Sequence, residues 1–425
     1  MLLAARLSLY LALGALCIGA HGQTRPAASS ASGSQSLAQL QRLLDRQQQA
    51  ISSGDPEAVI GSSRALTESG NRQFRETSAA LKHVSLSAAQ AKNLKERQRQ
   101  LRELLANGFN DWGTAEAKLQ RYDDALRHFQ EAEKWDASTP GLMQNLGTAA
   151  FRLGNYNESA RALEHVVSSN PQEERARLML AMSQFSLERF QDAAKNFALT
   201  SDLAMEDART AYAWAYSLVR TNQPRQANAI GDILQTRTLP QDVQLLVCKL
   251  YTASESFELA IPCLKKLIQN SPTMADAHYE LGATLIRLDR PSEAIPELRA
   301  ALSINPKDID AQYNLAYALL ETSEREEAVR LLQSVLTSNP NYAQAQYQLG
   351  KVLLEQGKTE DAIEHLQIAA RLSPADDYVH YQLQVAYRRA GRVQDANREL
   401  EKYKELKAGK REDATRRQAH EAAQP

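Results

Sequence analysis

The chain has 425 residues, 43% of them hydrophobic, and its 50 basic and 51 acidic residues leave a net charge of −1. This balance excludes a chain-wide positive field that would recruit nucleic acid or an anionic membrane surface. The length alone would allow two or three globular domains, whereas a repeat array of this length would form a single body.

The first 22 residues have the pattern of a secretory signal peptide. Arg6 precedes an uncharged run from Leu7 to Ala20, and Ala20 and Gly22 supply the small residues that a signal peptidase requires before Gln23. The run is short for a membrane span. We therefore expect a cleaved signal, an exported protein that is periplasmic or extracellular, and no transmembrane span in the mature chain. The alternative is an uncleaved anchor.

Two further segments precede the periodic part of the chain. Residues 23–35 are rich in Ala, Ser and Gly, which is typical of a flexible tether. Across residues 36–105 the apolar residues recur at helical spacing, and Asp55-Pro56 resembles a helix start. We expect two or three helices here, forming either an N-terminal cap or a short coiled segment for self-association.

From residue 106 to 408 the sequence repeats nine times with a period of 34 residues, apart from one interval of 33 near Pro240. A small residue in the second half of each unit holds this register: Ala125, Ser159, Ala193, Ala227, Ala260, Ala294, Ala328, Ala362 and Ala396. Twelve residues earlier stands another small residue, as at Gly147, Gly282 and Gly350. Because helices approach closely where small residues meet, each unit is predicted to be a helix hairpin. Neighbouring hairpins must stack to bury their apolar stripes.

The best copies of the repeat lie in residues 275–374, where His278-Tyr279-Glu280-Leu281-Gly282 is followed by Ala294, Leu298, Ala301 and Pro306. This pattern resembles the tetratricopeptide repeat, with weaker copies at 174–207, 208–240 and 377–408. The resemblance implies an all-α, right-handed solenoid of about nine helix-turn-helix repeats. It also implies a non-catalytic scaffold that binds a partner protein or peptide in a concave groove. For an exported member, it suggests a part in assembling an envelope complex.

The resemblance assigns candidate residues to that groove, because the family position held here by Tyr279 lines it. The candidate residues are Tyr212, Tyr279, Tyr313, Tyr347 and Tyr381, with Tyr317 one turn further on and Arg220, Arg287 and Arg389 another turn along. Tyrosine and arginine are enriched at interface hot spots. We therefore predict a partner peptide with acidic or aromatic character. The alternative is that the repeat uses these tyrosines for packing alone.

After signal removal two cysteines remain, Cys248 and Cys263, and both fall in the fifth unit. An even pair in an exported chain suggests a disulfide. Cys248 occupies the small contact position of one helix, and Cys263 lies one turn past Ala260 on the facing helix. The alternative is two thiols that are buried separately.

Motifs for chemistry are absent from the sequence. The eight histidines lack metal-ligand spacing, and there is no phosphate-binding loop or nucleophile elbow. We therefore predict no metal, no cofactor, no small-molecule substrate and no enzymatic activity. The rival interpretations are a self-assembling structural protein and an accessory subunit of an envelope or secretion enzyme. Residues 409–425 are charged and poor in apolar residues, so we expect a disordered tail.

Overall fold

The computed structural model describes residues 29–82 and 86–422, and these form 21 α-helices and no strand. The predicted signal segment and residues 23–28 of the predicted tether lie outside the described residues. The chain divides into two compact units, Met1–Ile230 and Gly231–Pro425.

The first unit begins with three long helices and continues with shorter ones. Its helices are α1 (Ser29–Ser53), α2 (Pro56–Ala80), α3 (Ala88–Lys118), α4 (Tyr122–Trp135), α5 (Leu142–Arg152), α6 (Tyr156–Ser169), α7 (Glu174–Ser186), α8 (Phe190–Ala198), α9 (Ser201–Glu206) and α10 (Ala208–Arg220). Helix α11 (Pro224–Gln235) contains the boundary between the units.

The second unit consists of regular helix hairpins. Its helices are α12 (Gln241–Ala253), α13 (Phe257–Asn270), α14 (Ala275–Arg287), α15 (Pro291–Ile304), α16 (Ile309–Glu321), α17 (Arg325–Ser338), α18 (Ala343–Glu355), α19 (Thr359–Leu372), α20 (Asp377–Arg389) and α21 (Val393–Ala422). Consecutive helices pack on one another, and one hydrophobic core contains buried residues from every helix of this unit after α11. The predicted all-α fold of stacked hairpins is therefore confirmed.

Helix α3 joins the N-terminal region to the first repeat without a break at residue 105. A capping box starts it, since the Ser87 hydroxyl accepts from the Gln90 backbone and the Gln90 side chain accepts from the Ser87 backbone. Leucines of α1, α2 and α3 form one buried cluster, made of Leu40, Leu66, Leu101, Leu104 and Leu105. Leu40 of α1 and Leu66 of α2 are thus buried against α3.

Two helices run beyond the boundaries expected from the sequence. Helix α1 begins at Ser29, inside the segment expected to be a tether, and α21 continues to Ala422, through most of the expected disordered tail. Residues 409–422 contain no proline and are rich in Lys, Arg, Glu and Ala, which have high helix propensity. A helix already started by packing on α20 extends at low cost through such residues.

Each of the nine predicted hairpins turns through one residue with positive φ. These residues keep the repeat register, at Gln120, Gly154, Glu188, Asn222, Glu255, Asp289, Ser323, Gly357 and Gly391. A left-handed residue ends the first helix and reverses the chain. Because only three of the nine are glycine, the other six repeats hold a side chain in a conformation that costs about 1–2 kcal/mol.

The glycine in the first helix makes room mainly for a large residue of the second helix. A Cβ atom at Gly282 would lie 2.6 Å from Cγ of Leu298, and one at Gly350 would lie 2.7 Å from Cγ of Leu366. The Cβ atom at Gly350 would also lie 3.2 Å from the carbonyl oxygen of Ala362. The close helix approach expected from the small residues is present, but leucine, rather than alanine alone, requires the glycine.

The third repeat departs from the regular hairpin, in the region of a weak copy. Helix α8 ends at Ala198, and the Thr200 hydroxyl donates to the carbonyl oxygen of Asn196 at 3.1 Å. The short helix α9 follows, with Ala204 fully buried. This repeat lacks the terminal proline, so an extra helical turn replaces the usual loop.

Candidate functional site

Four tyrosines of the second unit occupy the same turn of four successive first helices. They are Tyr279 on α14, Tyr313 on α16, Tyr347 on α18 and Tyr381 on α20. The first three are half-buried, whereas Tyr381 is 49% exposed. The regular spacing follows from stacked repeats that present equivalent helix faces.

Each of the last three tyrosines packs against a second tyrosine from the following segment. The ring centroids are 5.0 Å apart for Tyr313 and Tyr342, 4.8 Å for Tyr347 and Tyr378, and 5.4 Å for Tyr381 and Tyr403. We name the tyrosine face by its members on α14 to α20 and the loop before α18: Tyr279, Tyr313, Tyr317, Tyr342, Tyr347, Tyr378 and Tyr381.

The sequence analysis missed Tyr342 and Tyr378, because neither belongs to the 34-residue tyrosine series. Tyr342 precedes α18 at its N-cap, and Tyr378 lies in the first turn of α20, where it is 42% exposed. Their only sequence signal is an aromatic residue near a helix start. Contact between repeats is what brings them to the tyrosine face.

Carboxylates border the tyrosine face at the start of the first helices. The Tyr342 hydroxyl donates to Asp310 Oδ1 at 2.8 Å, and the Tyr378 hydroxyl donates to Asp376 Oδ2 at 3.0 Å. Burial, helped by the charge of Asp310, raises the pKa of Tyr279 to about 12. The phenol groups therefore stay neutral at physiological pH and lie beside negative charge.

The two predicted arginines of this unit are engaged within the protein. Arg287 donates to the carbonyl oxygen of Thr252 at 3.0 Å and to Glu255 at 3.1 Å. Arg389 donates to the carbonyl oxygen of Leu354 at 2.7 Å. Each guanidinium thus binds the last turn of the first helix in the preceding repeat, where carbonyl groups lack α-helical partners.

Tyr212 and Arg220 belong to an aromatic cluster in the first unit. The guanidinium of Arg220 lies 4.5 Å from the ring centroid of Phe190, and its Nη1 donates to the Tyr216 hydroxyl at 3.5 Å. The ring centroids of Tyr212 and Tyr216 are 5.9 Å apart. Stacking on aromatic rings holds this arginine in place.

Cys248 and Cys263 are joined by a disulfide that links α12 to α13, with their Cα atoms 5.5 Å apart. Cys248 is buried, and Cys263 is half-buried. The bond lies inside a single hairpin, so it fixes the distance between the two helices of the fifth repeat.

Within residues 29–82 and 86–422, no three His, Cys, Asp or Glu side chains are grouped so as to hold a metal ion. No helix in the described part of the chain combines the length and the apolar character needed to cross a membrane.

Stacked helix hairpins that present a recurring aromatic face define a helical-repeat protein of the scaffold type. A tetratricopeptide repeat model matches residues 145–202 and 313–377, and a second tetratricopeptide repeat model matches residues 275–318. The chain is a tetratricopeptide repeat protein. Such proteins act through protein partners. A search of curated proteins gave no match.

Similar solved structures include a crystal structure of MamA, which is 25% identical, with 39% of this chain and 96% of that chain covered and a TM-score of 0.36. A monomeric mutant of IFIT1 with Gppp-AAAA is 16% identical, with 82% of this chain and 90% of that chain covered and a TM-score of 0.39. The family assignment rests on the repeat motifs and on the matches to the two tetratricopeptide repeat models.

Proposed function

We propose that this protein is a non-catalytic interaction scaffold that binds a partner peptide or protein over the tyrosine face of its second unit. The observation that carries this proposal is the alignment of tyrosines on four successive first helices, with Tyr378 and Tyr381 42% and 49% exposed. Exposed aromatic residues that recur along stacked repeats offer a partner several equivalent contacts.

The tyrosines suit this role because part of each ring is already held in place. Tyr347 and Tyr378 stack edge to face, and the Tyr378 hydroxyl is fixed by Asp376. A side chain that is ordered before binding loses little conformational entropy when a partner arrives. Tyrosine adds a flat apolar surface and a hydroxyl, the combination that makes it frequent in hot spots.

The proposal includes export and a place in an envelope complex. Support for export comes from the charged start and apolar run of the first 22 residues, followed by small residues. Further support comes from the disulfide between Cys248 and Cys263, a bond that persists in oxidising compartments. The envelope role rests on the family resemblance of an exported repeat protein.

A crosslinking pulldown from native envelope tests the tyrosine face. We would compare the mature protein with Tyr347→Ser/Tyr378→Ser, after checking by circular dichroism and thermal unfolding that the variant folds. Leu372→Ser is the matched control, because it removes an apolar side chain that is 38% exposed from the second helix α19. We expect the double variant to lose its partners and the control to keep them. An unchanged partner list in the double variant would contradict the proposal.

Sizing the purified protein over a concentration series tests the rival, self-assembly. The leucine cluster of α1, α2 and α3 buries inside the chain the apolar residues that a coiled self-association segment would need. We therefore expect a constant monomer mass. A mass that rises with concentration would favour the structural oligomer.

A further inference from the structure

We propose that the segment bound at the tyrosine face is basic, with Lys or Arg side chains placed against the tyrosine rings and the neighbouring carboxylates. This inference rests on the proposed function and adds the chemical character of the partner. It departs from the partner of acidic or aromatic character expected from the sequence, because the structure puts the arginines and the carboxylates at opposite ends of the first helices.

The negative charge comes from aspartates at the starts of α16 and α20. Asp308 is the N-cap of α16 and accepts from the Ala311 backbone at 3.0 Å, while Asp310 and Asp376 accept from the hydroxyls of Tyr342 and Tyr378. In the part of the chain that the structure describes, none of these three carboxylates has a Lys or Arg within ion-pair distance. Their charges are therefore available to a cationic partner.

Other carboxylates near the tyrosine face are already neutralised. Glu280 lies 2.6 Å from Lys249, and Asp377 pairs with Lys410. The acidic residues near the tyrosine face are therefore of two kinds: those in an ion pair with a lysine, and those without a basic partner. The second kind are the ones hydrogen-bonded to the tyrosine hydroxyls or to a helix N-terminus.

The positive groups of the same helices lie further along. Arg287 is two turns beyond Tyr279 and donates to the Thr252 carbonyl oxygen, and Arg389 is two turns beyond Tyr381 and donates to the Leu354 carbonyl oxygen. Lys351, one turn beyond Tyr347, marks the limit of the acidic end. An acidic segment lying on the tyrosines would face Asp308, Asp310 and Asp376, and like charges at such distances repel.

A basic segment would gain two interactions at once. The face of a tyrosine ring attracts a guanidinium or ammonium group, and an adjacent carboxylate strengthens that attraction. Arginine can in addition form two parallel hydrogen bonds to one carboxylate. The pairing of Tyr342 with Asp310, and of Tyr378 with Asp376, offers this combination at two places on the surface.

Selection of short random peptides displayed on phage tests the inference with the whole mature protein as bait. Peptides would be selected on the wild-type protein and counter-selected on Tyr347→Ser/Tyr378→Ser, and their net charge compared with that of the input library. We expect enrichment in Lys and Arg. Recovered peptides that are neutral or acidic would overturn the basic partner and leave the tyrosine face as a binding site.

A recovered basic peptide would then be titrated against Asp308→Asn/Asp310→Asn, which keeps the cap and the hydroxyl acceptor and removes two charges. We expect its Kd to rise about tenfold, with a weaker dependence on salt. Glu326→Gln/Glu360→Gln, which removes two exposed carboxylates from second helices, is the matched control and should leave the Kd unchanged. Equal affinity for both double variants would overturn the inference. Failure to enrich any peptide over the tyrosine variant would instead overturn the proposed function, and the inference with it.

Discussion

The guanidinium of Arg389 donates a hydrogen bond to the carbonyl oxygen of Leu354 at 2.7 Å, which ties the end of α20 to the end of α18. Arg287 makes the equivalent bond to Thr252, between α14 and α12. A positive charge at a helix C-terminus is also favoured by the helix dipole. Arg287 and Arg389 therefore have a structural role between neighbouring repeats.

Replacing Arg389 by Met should lower the free energy of unfolding by about 1 kcal/mol, because one charge-assisted hydrogen bond is lost at an exposed site. The matched control is Arg388→Met, an exposed neighbour, for which we expect a change within about 0.5 kcal/mol. Urea denaturation followed by circular dichroism measures both. Equal effects of the two substitutions would argue against the link between repeats.

His278 bridges two elements of its repeat and should be replaceable by glutamine but not by leucine. Its Nδ1 lies 2.7 Å from Glu297, and its Nε2 lies 3.1 Å from the carbonyl oxygen of Pro272. Gln312, at the same place in the next repeat, donates to the Pro306 carbonyl oxygen. We expect His278→Leu to cost about 1–3 kcal/mol, since the buried His278 ring loses its hydrogen bonds to Glu297 and to the Pro272 carbonyl oxygen. Urea denaturation would show His278→Gln close to the wild type, and a large loss there would contradict the interpretation.

Glycine at a hairpin turn that now holds a side chain should stabilise the protein. Ser323 has a φ of 70°, and Gly357, at the same place one repeat later, has a φ of 79°. Removing the Ser323 side chain relieves a conformational cost of about 1–2 kcal/mol in the folded state. The greater conformational entropy of glycine in the unfolded chain offsets about 0.5–1 kcal/mol of this gain. We expect Ser323→Gly to raise the melting temperature and Gly357→Ser to lower it. The same direction of change for both would refute this explanation of the turn.

Breaking the disulfide should destabilise the second unit. The bond closes a loop with a sequence separation of 15 residues, for which the chain-entropy model gives about 3 kcal/mol. Non-reducing digestion and mass spectrometry should recover Cys248 and Cys263 in one linked peptide. Reduction should then lower the midpoint of urea unfolding, and Cys248→Ala/Cys263→Ala should make stability insensitive to the reductant. Two free thiols in protein purified from an oxidising compartment would contradict the bond.

Tyr279 should titrate later than an ordinary tyrosine. Burial raises its pKa to about 12 from the usual value of 10.0, so the folded state holds the phenol proton more tightly than the unfolded state does. Its contribution to stability is complete below pH 10 and is lost as the pH rises towards about 12. The difference in tyrosinate absorbance between the wild type and Tyr279→Phe measures this pKa. A midpoint near 10 would show that the phenol is not shielded.

The repeat register made most of the fold predictable, because the same small residues and prolines mark each hairpin. The left-handed residues were less visible, since Gln120, Glu188 and Ser323 are not typical of that conformation. The extra helix α9 also escaped prediction, because no proline ends the third repeat. Periodicity predicts equivalent positions well and local exceptions poorly.

Prediction of the candidate site was less complete. The tyrosine series was evident from its spacing, but Tyr342 and Tyr378 join it only through contacts between residues 29 to 31 positions apart, as in the pairs Tyr313 with Tyr342 and Tyr347 with Tyr378. The partners of the arginines were also invisible, because a backbone carbonyl has no sequence signature.

The amino-acid sequence by itself determined the helical repeat, its period and the positions at which tyrosine recurs, because helical spacing and close helix contact restrict which residue types fit. Tertiary structure alone decided that Arg287 and Arg389 bind helix ends and that Asp310 lies beside Tyr342. The reason is that charge acts over distances in space, and stacking brings together side chains that the chain itself keeps one repeat apart.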